Sequence, residues 1–220
     1  MQPSFLFENQ YLNLKVAGVD EAGRGPLAGP VVACCASLNF NQEIINLKVN
    51  DSKKLNANKR KQLFEILIKK IDFGIGIVDH QVIDQVNIYQ ATKLAMIKAY
   101  ENFLHKYPYQ LQVLLVDGNF TPFLSNDMFD NNKINDSIID SKAIVKGDQK
   151  SYSIACASII AKETRDQLML EYHQQFPQYN FAKNMGYGTK IHLEKIKQFG
   201  ACPIHRKSFE PIKSLLIVNS

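Results

Sequence analysis

The sequence predicts an α/β domain with a mixed sheet, and three observations carry that expectation. Short apolar runs that read as strands are interleaved with longer stretches whose apolar side chains recur at helical spacing. Hydrophobic residues make up 45% of the 220 positions, and the mean hydropathy of -0.19 is that of an ordinary globular chain. No apolar run reaches the ~18 to 20 residues that a membrane helix needs, so no membrane association is expected. The length favours one domain over residues 1–220, with a sheet core to about residue 180 and a helical appendage over about 181–220.

The elements follow in order. Lys15–Val19 is a short apolar strand that stops at Asp20-Glu21, before the glycine-rich turn Ala22-Gly23-Arg24-Gly25-Pro26. Pro30–Leu38 returns as a strand that is apolar on both faces, as a central strand covered by helices should be. Ala57–Ile71 reads as a helix with Asn56 as N-cap and Leu63, Ile66, Leu67 and Ile71 on one face. Phe73–Val78 is a third strand, Tyr89–Tyr107 a long amphipathic helix, and Leu111–Val116 a strand ending in Asp117-Gly118-Asn119. Thr121–Ser141, rich in Asn, Asp and Ser, reads as an irregular connection, and Ala143–Lys146 as a short strand. Ser153–Tyr172 is a helix whose Ala155, Ala157, Ser158 and Ala161 allow close approach to a sheet, and Thr189–Phe199 is a last short helix.

Charge and cysteine usage narrow the setting. A net charge of +5 is compatible with a nucleic-acid partner without establishing one. Cys34, Cys35, Cys156 and Cys202 form no Cys-x-x-Cys pair, so they are expected to be reduced and buried or semi-buried, with Cys34 and Cys35 on opposite faces of their strand. Met1–Tyr11 lacks the basic start and apolar stretch of a secretory signal, and a cytoplasmic location is expected.

The chemistry concentrates at strand ends. Asp20 and Glu21 close one apolar strand and Asp117 another. Carboxylates gathered there repel one another unless a proton or cation intervenes, and hard oxygen ligands without His or Cys favour magnesium or manganese over zinc. A single Asp at a strand end is usually a turn former, but Asp-Glu followed by Gly-Arg-Gly is harder to read that way. Gly18 to Gly23 has phosphate-loop spacing, yet Arg24 and Gly25 stand where Lys and Ser/Thr are required, and the dinucleotide fingerprint is missed by one position. No His-Glu-x-x-His or Gly-x-Ser-x-Gly motif is present.

The run Val19-Asp20-Glu21-Ala22-Gly23-Arg24-Gly25-Pro26-Leu27-Ala28-Gly29-Pro30-Val31 resembles the first signature of ribonuclease HII. Further blocks agree in the family's order. They are Asp51-Ser52-Lys53-Lys54-Leu55, Val116-Asp117-Gly118, Lys146-Gly147-Asp148, Ala157-Ser158-Ile159-Ile160-Ala161-Lys162 with Arg165-Asp166, Gly186-Tyr187-Gly188-Thr189, and His205-Arg206-Lys207-Ser208-Phe209. The resemblance implies a ribonuclease-H-like mixed sheet flanked by helices, with a C-terminal helical region. It implies an endonuclease that hydrolyses the RNA strand of RNA/DNA hybrids and cuts 5' of ribonucleotides embedded in duplex DNA. Two Mn2+ or Mg2+ ions would do the chemistry, leaving 5'-phosphate and 3'-hydroxyl ends. The catalytic acids fall on Asp20, Glu21, Asp117 and Asp148, with the first three as metal ligands. Asp148 lies beyond a connection longer than expected for the family, which holds Asp127, Asp130, Asp136 and Asp140.

The resemblance assigns Gly23, Arg24 and Gly25 to sensing the 2'-hydroxyl, largely through backbone groups, and Tyr187 to the neighbouring nucleotide. Met185 stands where the family usually has a basic residue. Lys53, Lys54 and Lys146 are candidate phosphate contacts, with Lys150, Lys183 and Lys190 behind them. Lys162 and Asp166 are spaced to pair, while His173, His192 and His205 lack metal-binding spacing and read as structural or surface residues. A monomer is expected, and no motif recruiting a replication clamp is legible. Ribonuclease HIII is the near alternative; that family carries an N-terminal substrate-binding domain and lacks this Gly-Arg-Gly, and no such domain is expected in the 14 residues before the first strand. A catalytically dead hybrid-binding module would have lost an acidic position, and none is lost.

Overall fold

The computed structural model describes residues 3–38, 47, 49, 52, 55–123 and 138–218. Five strands form one mixed sheet in the order β3-β2-β1-β4-β5. β1 (Val16–Ala22) pairs antiparallel with β2 (Val31–Ser37), which pairs antiparallel with β3 (Asp72–Val78). On its other side β1 runs parallel to β4 (Val113–Asp117), and β4 parallel to β5 (Asp140–Ile144). The helices are α1 (Ala57–Lys70), α2 (His80–Lys106), α3 (Tyr152–Gln175), α4 (Phe181–Asn184), α5 (Lys190–Phe199) and α6 (Ile212–Val218).

Alternation along β1 and β2 divides the interior into two layers. Ala17, Val19, Ala33 and Cys35 face a core closed by Ala95, Met96, Tyr100 and Phe103 of α2. Cys34 and Ala36 face the opposite core, closed by Leu63 and Leu67 of α1 and by Ala155, Ala157 and Ala161 of α3. The two adjacent cysteines therefore lie on opposite faces as expected, and all four cysteines are buried and unpaired. The small residues of α3 serve the close approach expected of them. At Gly18 a Cβ would stand 2.2 Å from the Ile154 backbone nitrogen, so only glycine lets the start of α3 lie on β1. A third core joins Leu27, Ala28 and Met169 to Phe181, Ile196, Ile204 and Ile212 of the C-terminal segment.

The expected last helix at Phe199 is followed by α6, and three boundaries differ from expectation. β1 continues through Asp20 and Glu21 to Ala22, because antiparallel pairing with β2 persists (Asp20↔Cys34, Glu21↔Ala33) after parallel pairing with β4 ends at Val19↔Val116. α2 begins at His80, capped by Asp79, and kinks at Asn87 (φ 69). The Asn87 carboxamide re-caps the chain by accepting from the N–H of Tyr89 and Gln90, so the expected Tyr89 start marks the second segment. β5 spans Asp140–Ile144 and not Ala143–Lys146. Its opening Asp140 accepts a hydrogen bond from the Tyr11 hydroxyl, which lets an acid head a strand. Of the Asn/Asp-rich connection, 124–137 lies outside the described residues, including Asp127, Asp130 and Asp136. Among the described residues no helix is long and apolar enough to cross a membrane.

Candidate active site

The carboxyl ends of β1 and β4 lie side by side, where ligands of open α/β sheets bind. Asp20 is buried on β1, 4% exposed. Its Oδ1 accepts from the Glu21 N–H at 2.7 Å, and the Ser158 hydroxyl of α3 also donates to it. Burial, then the negative charges of Glu21 and Asp117, holds the Asp20 carboxyl well above the ordinary carboxylate range. A cation beside these carboxylates would relieve the repulsion that Asp20 feels from Glu21 and Asp117. Glu21 takes an ion pair from Arg24 at 3.3 Å. Asp117 Oδ1 accepts from the Gly147 N–H at 2.6 Å, so one of its oxygens is oriented by the turn Gly147–Gln149.

Glu21 and Asp117 open onto a cleft of about 420 Å³ that the Gly23–Gly25 loop, Ser52, Ser158, Lys162 and Tyr187 also line, while the buried Asp20 is not part of the lining. Among the described residues, no group of three or more His, Cys, Asp or Glu side chains closes around a metal ion unaided. The donor set still fits magnesium or manganese, ions that take one or two carboxylates and complete their shell with water and phosphate oxygens. Asp148 lies in the same turn as Gly147, buried at 6% exposure, and is not among the cleft-lining residues. Lys146 precedes it in a left-handed conformation (φ 57), exposed and also away from the lining. Lys53 and Lys54 lie outside the described residues.

The opposite wall is made of loops pinned from behind. Arg165 and Arg206 are 1% and 0% exposed. Arg206 donates to the carbonyls of Gly23 (2.6 Å), Arg24 (3.0 Å), Gly29 (3.0 Å) and Pro30 (3.2 Å). Arg165 donates to Pro30 (3.0 Å), Ala28 (3.1 Å) and Met185 (3.0 Å). Burial lowers the basicity of both guanidiniums, and the carbonyl oxygens offset the lost hydration. Gly23 sits at φ 100, and a Cβ there would lie 2.2 Å from Arg165 Nε, so glycine is required twice over. Because trans peptides point N–H opposite to C=O, the N–H groups of Arg24 and Gly25 turn away from Arg206.

Tyr187 stands in this wall, 43% exposed, with Gly25 close to its ring edge. The Leu27 N–H donates to the Gly186 carbonyl at 2.8 Å, tying the two loops together. Where the family usually has a basic residue, the Met185 side chain packs on the third core and its carbonyl accepts from Arg165. Lys162 does pair with Asp166, which also receives Arg60 at 3.3 Å. Ser52 and Ser158, hydrogen-bonded at 2.9 Å, and Arg165 and Arg206 are site residues with no site role legible in the sequence, where Ser158 reads only as a small helix-packing residue. All four stand in the quoted motif blocks, so their signal was position within a motif; residue type alone reads as surface polarity.

A solved structure, the ribonuclease H2 of Pyrococcus horikoshii OT3, superposes with a TM-score of 0.70 at 28% identity, covering 92% of this chain and 97% of that one. The molecule thus has the ribonuclease-H-like fold, with acids at the ends of two central strands. The ribonuclease HII family model matches residues 17–212. The chain is 46% identical over 210 residues to ribonuclease HII of Macrococcus caseolyticus, spanning 96% of this chain and 72% of that protein. It is 51% identical over 195 residues to ribonuclease HII of Caldanaerobacter subterraneus subsp. tengcongensis, spanning 88% and 73%. The chain belongs to the ribonuclease HII family and is an endoribonuclease acting on RNA strands.

Proposed function

We propose that this enzyme hydrolyses the RNA strand of RNA/DNA hybrids and cuts 5' of ribonucleotides embedded in duplex DNA, by two-metal-ion catalysis that leaves 5'-phosphate and 3'-hydroxyl ends. The observation that carries the reading is the facing of two walls across one cleft, acids from β1 and β4 on one side and Gly23–Gly25 with Tyr187 on the other. Asp20, Glu21 and Asp117 would hold Mn2+ or Mg2+, with Asp148 as the fourth acid. Ions bound there would supply positive charge to the scissile phosphate and make a coordinated water more acidic. Arg24, within the Gly23–Gly25 loop, links that loop to the acids through its ion pair with Glu21.

The Gly23–Gly25 loop reads the 2'-hydroxyl, supported by the way its carbonyls are taken by Arg206 while the Arg24 and Gly25 N–H groups turn elsewhere. Tyr187 stacks on the nucleotide beside the ribonucleotide, supported by its exposure next to Gly25. Lys53, Lys54 and Lys146 position phosphates. The enzyme works as a cytoplasmic monomer, with residues 1–220 as one catalytic unit and about 181–220 as its helical appendage. No contact with a replication clamp is proposed. Cleavage mapping on a DNA duplex carrying one ribonucleotide tests the reading. A single cut 5' of the ribonucleotide that requires manganese or magnesium is expected; no metal-dependent cut, or cuts elsewhere, would reject it.

A further inference from the structure

We propose that His192 and His205 form a buried, one-directional hydrogen-bond relay that ends on the backbone carbonyl of Tyr187 and sets the position of its ring in the cleft. The proposal rests on the reading of Tyr187 as the group that meets the substrate. Its direction follows from groups that have no choice of role. The Cys202 N–H can only donate, and it donates to His205 Nδ1 at 2.8 Å. The Cys202 carbonyl is 3.3 Å from the same nitrogen, a longer contact than the 2.8 Å bond from the Cys202 N–H, which needs the Nδ1 lone pair. His205 therefore carries its proton on Nε2, which faces His192 Nε2 at 3.0 Å. His192 must accept there, so its proton is on Nδ1, which donates to the Tyr187 carbonyl at 2.8 Å.

The surroundings suit two neutral rings. His192 and His205 are 0% and 1% exposed. The Tyr179 ring meets His205 edge-on at 5.0 Å, and the Phe181 ring meets His192 at 5.4 Å. Burial pushes both imidazoles below their ordinary value, His205 to about 4. An added proton on His192 would aim two N–H groups at each other across the 3.0 Å contact, and one on His205 would face the Cys202 N–H across 2.8 Å.

A relay has something to do here because Tyr187 lies between two glycines, Gly186 at φ 82 and Gly188. Such a turn leaves the ring free unless the backbone is held. The Tyr187 carbonyl accepts from the Thr189 N–H at 2.8 Å and from His192, so both its acceptor positions are used. His205 is followed by Arg206, which holds the Gly23 and Arg24 carbonyls, so one dipeptide fixes both recognition loops. His192 and His205 are thus positioning residues for substrate discrimination, and neither touches the reacting atoms.

The test measures, with manganese present, the ratio of cleavage rates on a single-ribonucleotide duplex and on a uniform RNA/DNA hybrid. It compares the wild type with His192→Leu, His192→Asn and Tyr187→Ala, and reads ring tautomers in the wild type by 15N NMR at neutral pH. A hydrogen bond of ordinary strength predicts that His192→Leu lowers the ratio about fivefold to tenfold. His192→Asn, whose amide N–H stands where Nδ1–H was, should restore most of it. The spectra should report His192 protonated on Nδ1 and His205 on Nε2. The opposite tautomers, or a charged ring, would overturn the relay even if His192→Leu does not fold. So would a folded His192→Leu that lowers both rates equally, since that is a loss of structure alone. If Tyr187→Ala lowers the ratio and folded His192→Leu does not, the relay fails and the role of Tyr187 stands. An unchanged ratio in both removes both.

Discussion

The two walls of the cleft are held in place by different physics. The acidic wall is built into the sheet, where the register of β1 against β2 and β4 puts Asp20, Glu21 and Asp117 together. The recognition wall is two glycine loops with no ladder of their own, held by Arg165, Arg206 and His192 from behind. Sheet register tolerates change in any one side chain, whereas a loop held by a single guanidinium depends on that residue. On the proposed reading, chemistry sits on the sheet and discrimination on loops that side chains hold from behind.

The largest expected effect breaks the acidic wall alone. Asp20→Asn or Asp117→Asn should leave the protein folded and lower metal-dependent cleavage roughly a hundredfold to a thousandfold on every substrate, because an amide is an uncharged, poorer ligand. Circular dichroism with single-turnover kinetics checks both halves; near-normal turnover would remove these residues from the site. Asp148→Asn should impair activity less. If Asp140→Asn were the more damaging, the fourth acid would be reassigned, although Asp140 is engaged by Tyr11.

Next in size is the recognition wall's own support. Arg206→Met takes the donor from three loop carbonyls, those of Gly23, Arg24 and Gly29, while Pro30 keeps Arg165, and buried unsatisfied groups cost roughly 1 to 3 kcal/mol each before relaxation. Roughly 3 to 5 kcal/mol of stability should be lost, read from urea unfolding. A loss below about 1 kcal/mol would mean that the loops stand without the arginine.

Acid gives a third test, because burial, with lesser repulsion from His192 and His80, lowers the folded-state value of His205 to about 4. A base whose folded value lies below its unfolded one contributes full stability above about 6.5 and loses it as pH falls toward 4. Wild type should lose up to roughly 3 kcal/mol over that window from this group, and His205→Gln should lose less. Equal pH slopes in the two proteins would contradict the neutral, buried assignment. The smallest effect is electrostatic: removing charge at Lys53, Lys54 or Lys146 should weaken all substrates alike and lower the salt slope by about one per lysine, as counterion release requires.

The two walls also differ in how much of them can be read from the sequence. Asp20, Glu21 and Asp117 are legible because acids that end apolar runs violate the pattern around them, and the glycine loop is legible because its spacing is unusual. Even so, the persistence of β1 through Glu21 was not, since it depends on pairing with Ala33, which local pattern does not encode. Arg206 looks like a surface cation until the chain brings it back to Gly23, 183 positions away. His192 and His205 likewise lack any spacing signal, because their partners are backbone groups and each other. The expected helix start at Tyr89 missed the first segment of α2 because Asn87 interrupts the periodicity there.

The central claim is that catalysis and discrimination belong to separate walls, and one comparison of rates tests it most directly. Cleavage of a single-ribonucleotide duplex and of a uniform hybrid is measured at one fixed manganese concentration for wild type, Asp117→Asn, Tyr187→Phe and Tyr187→Ala. Asp117→Asn should lower both rates together and keep their ratio. Tyr187→Ala should lower the ratio by roughly one to two powers of ten, and Tyr187→Phe should keep most of it. A ratio that moves in Asp117→Asn, or stays fixed in Tyr187→Ala, would contradict the division.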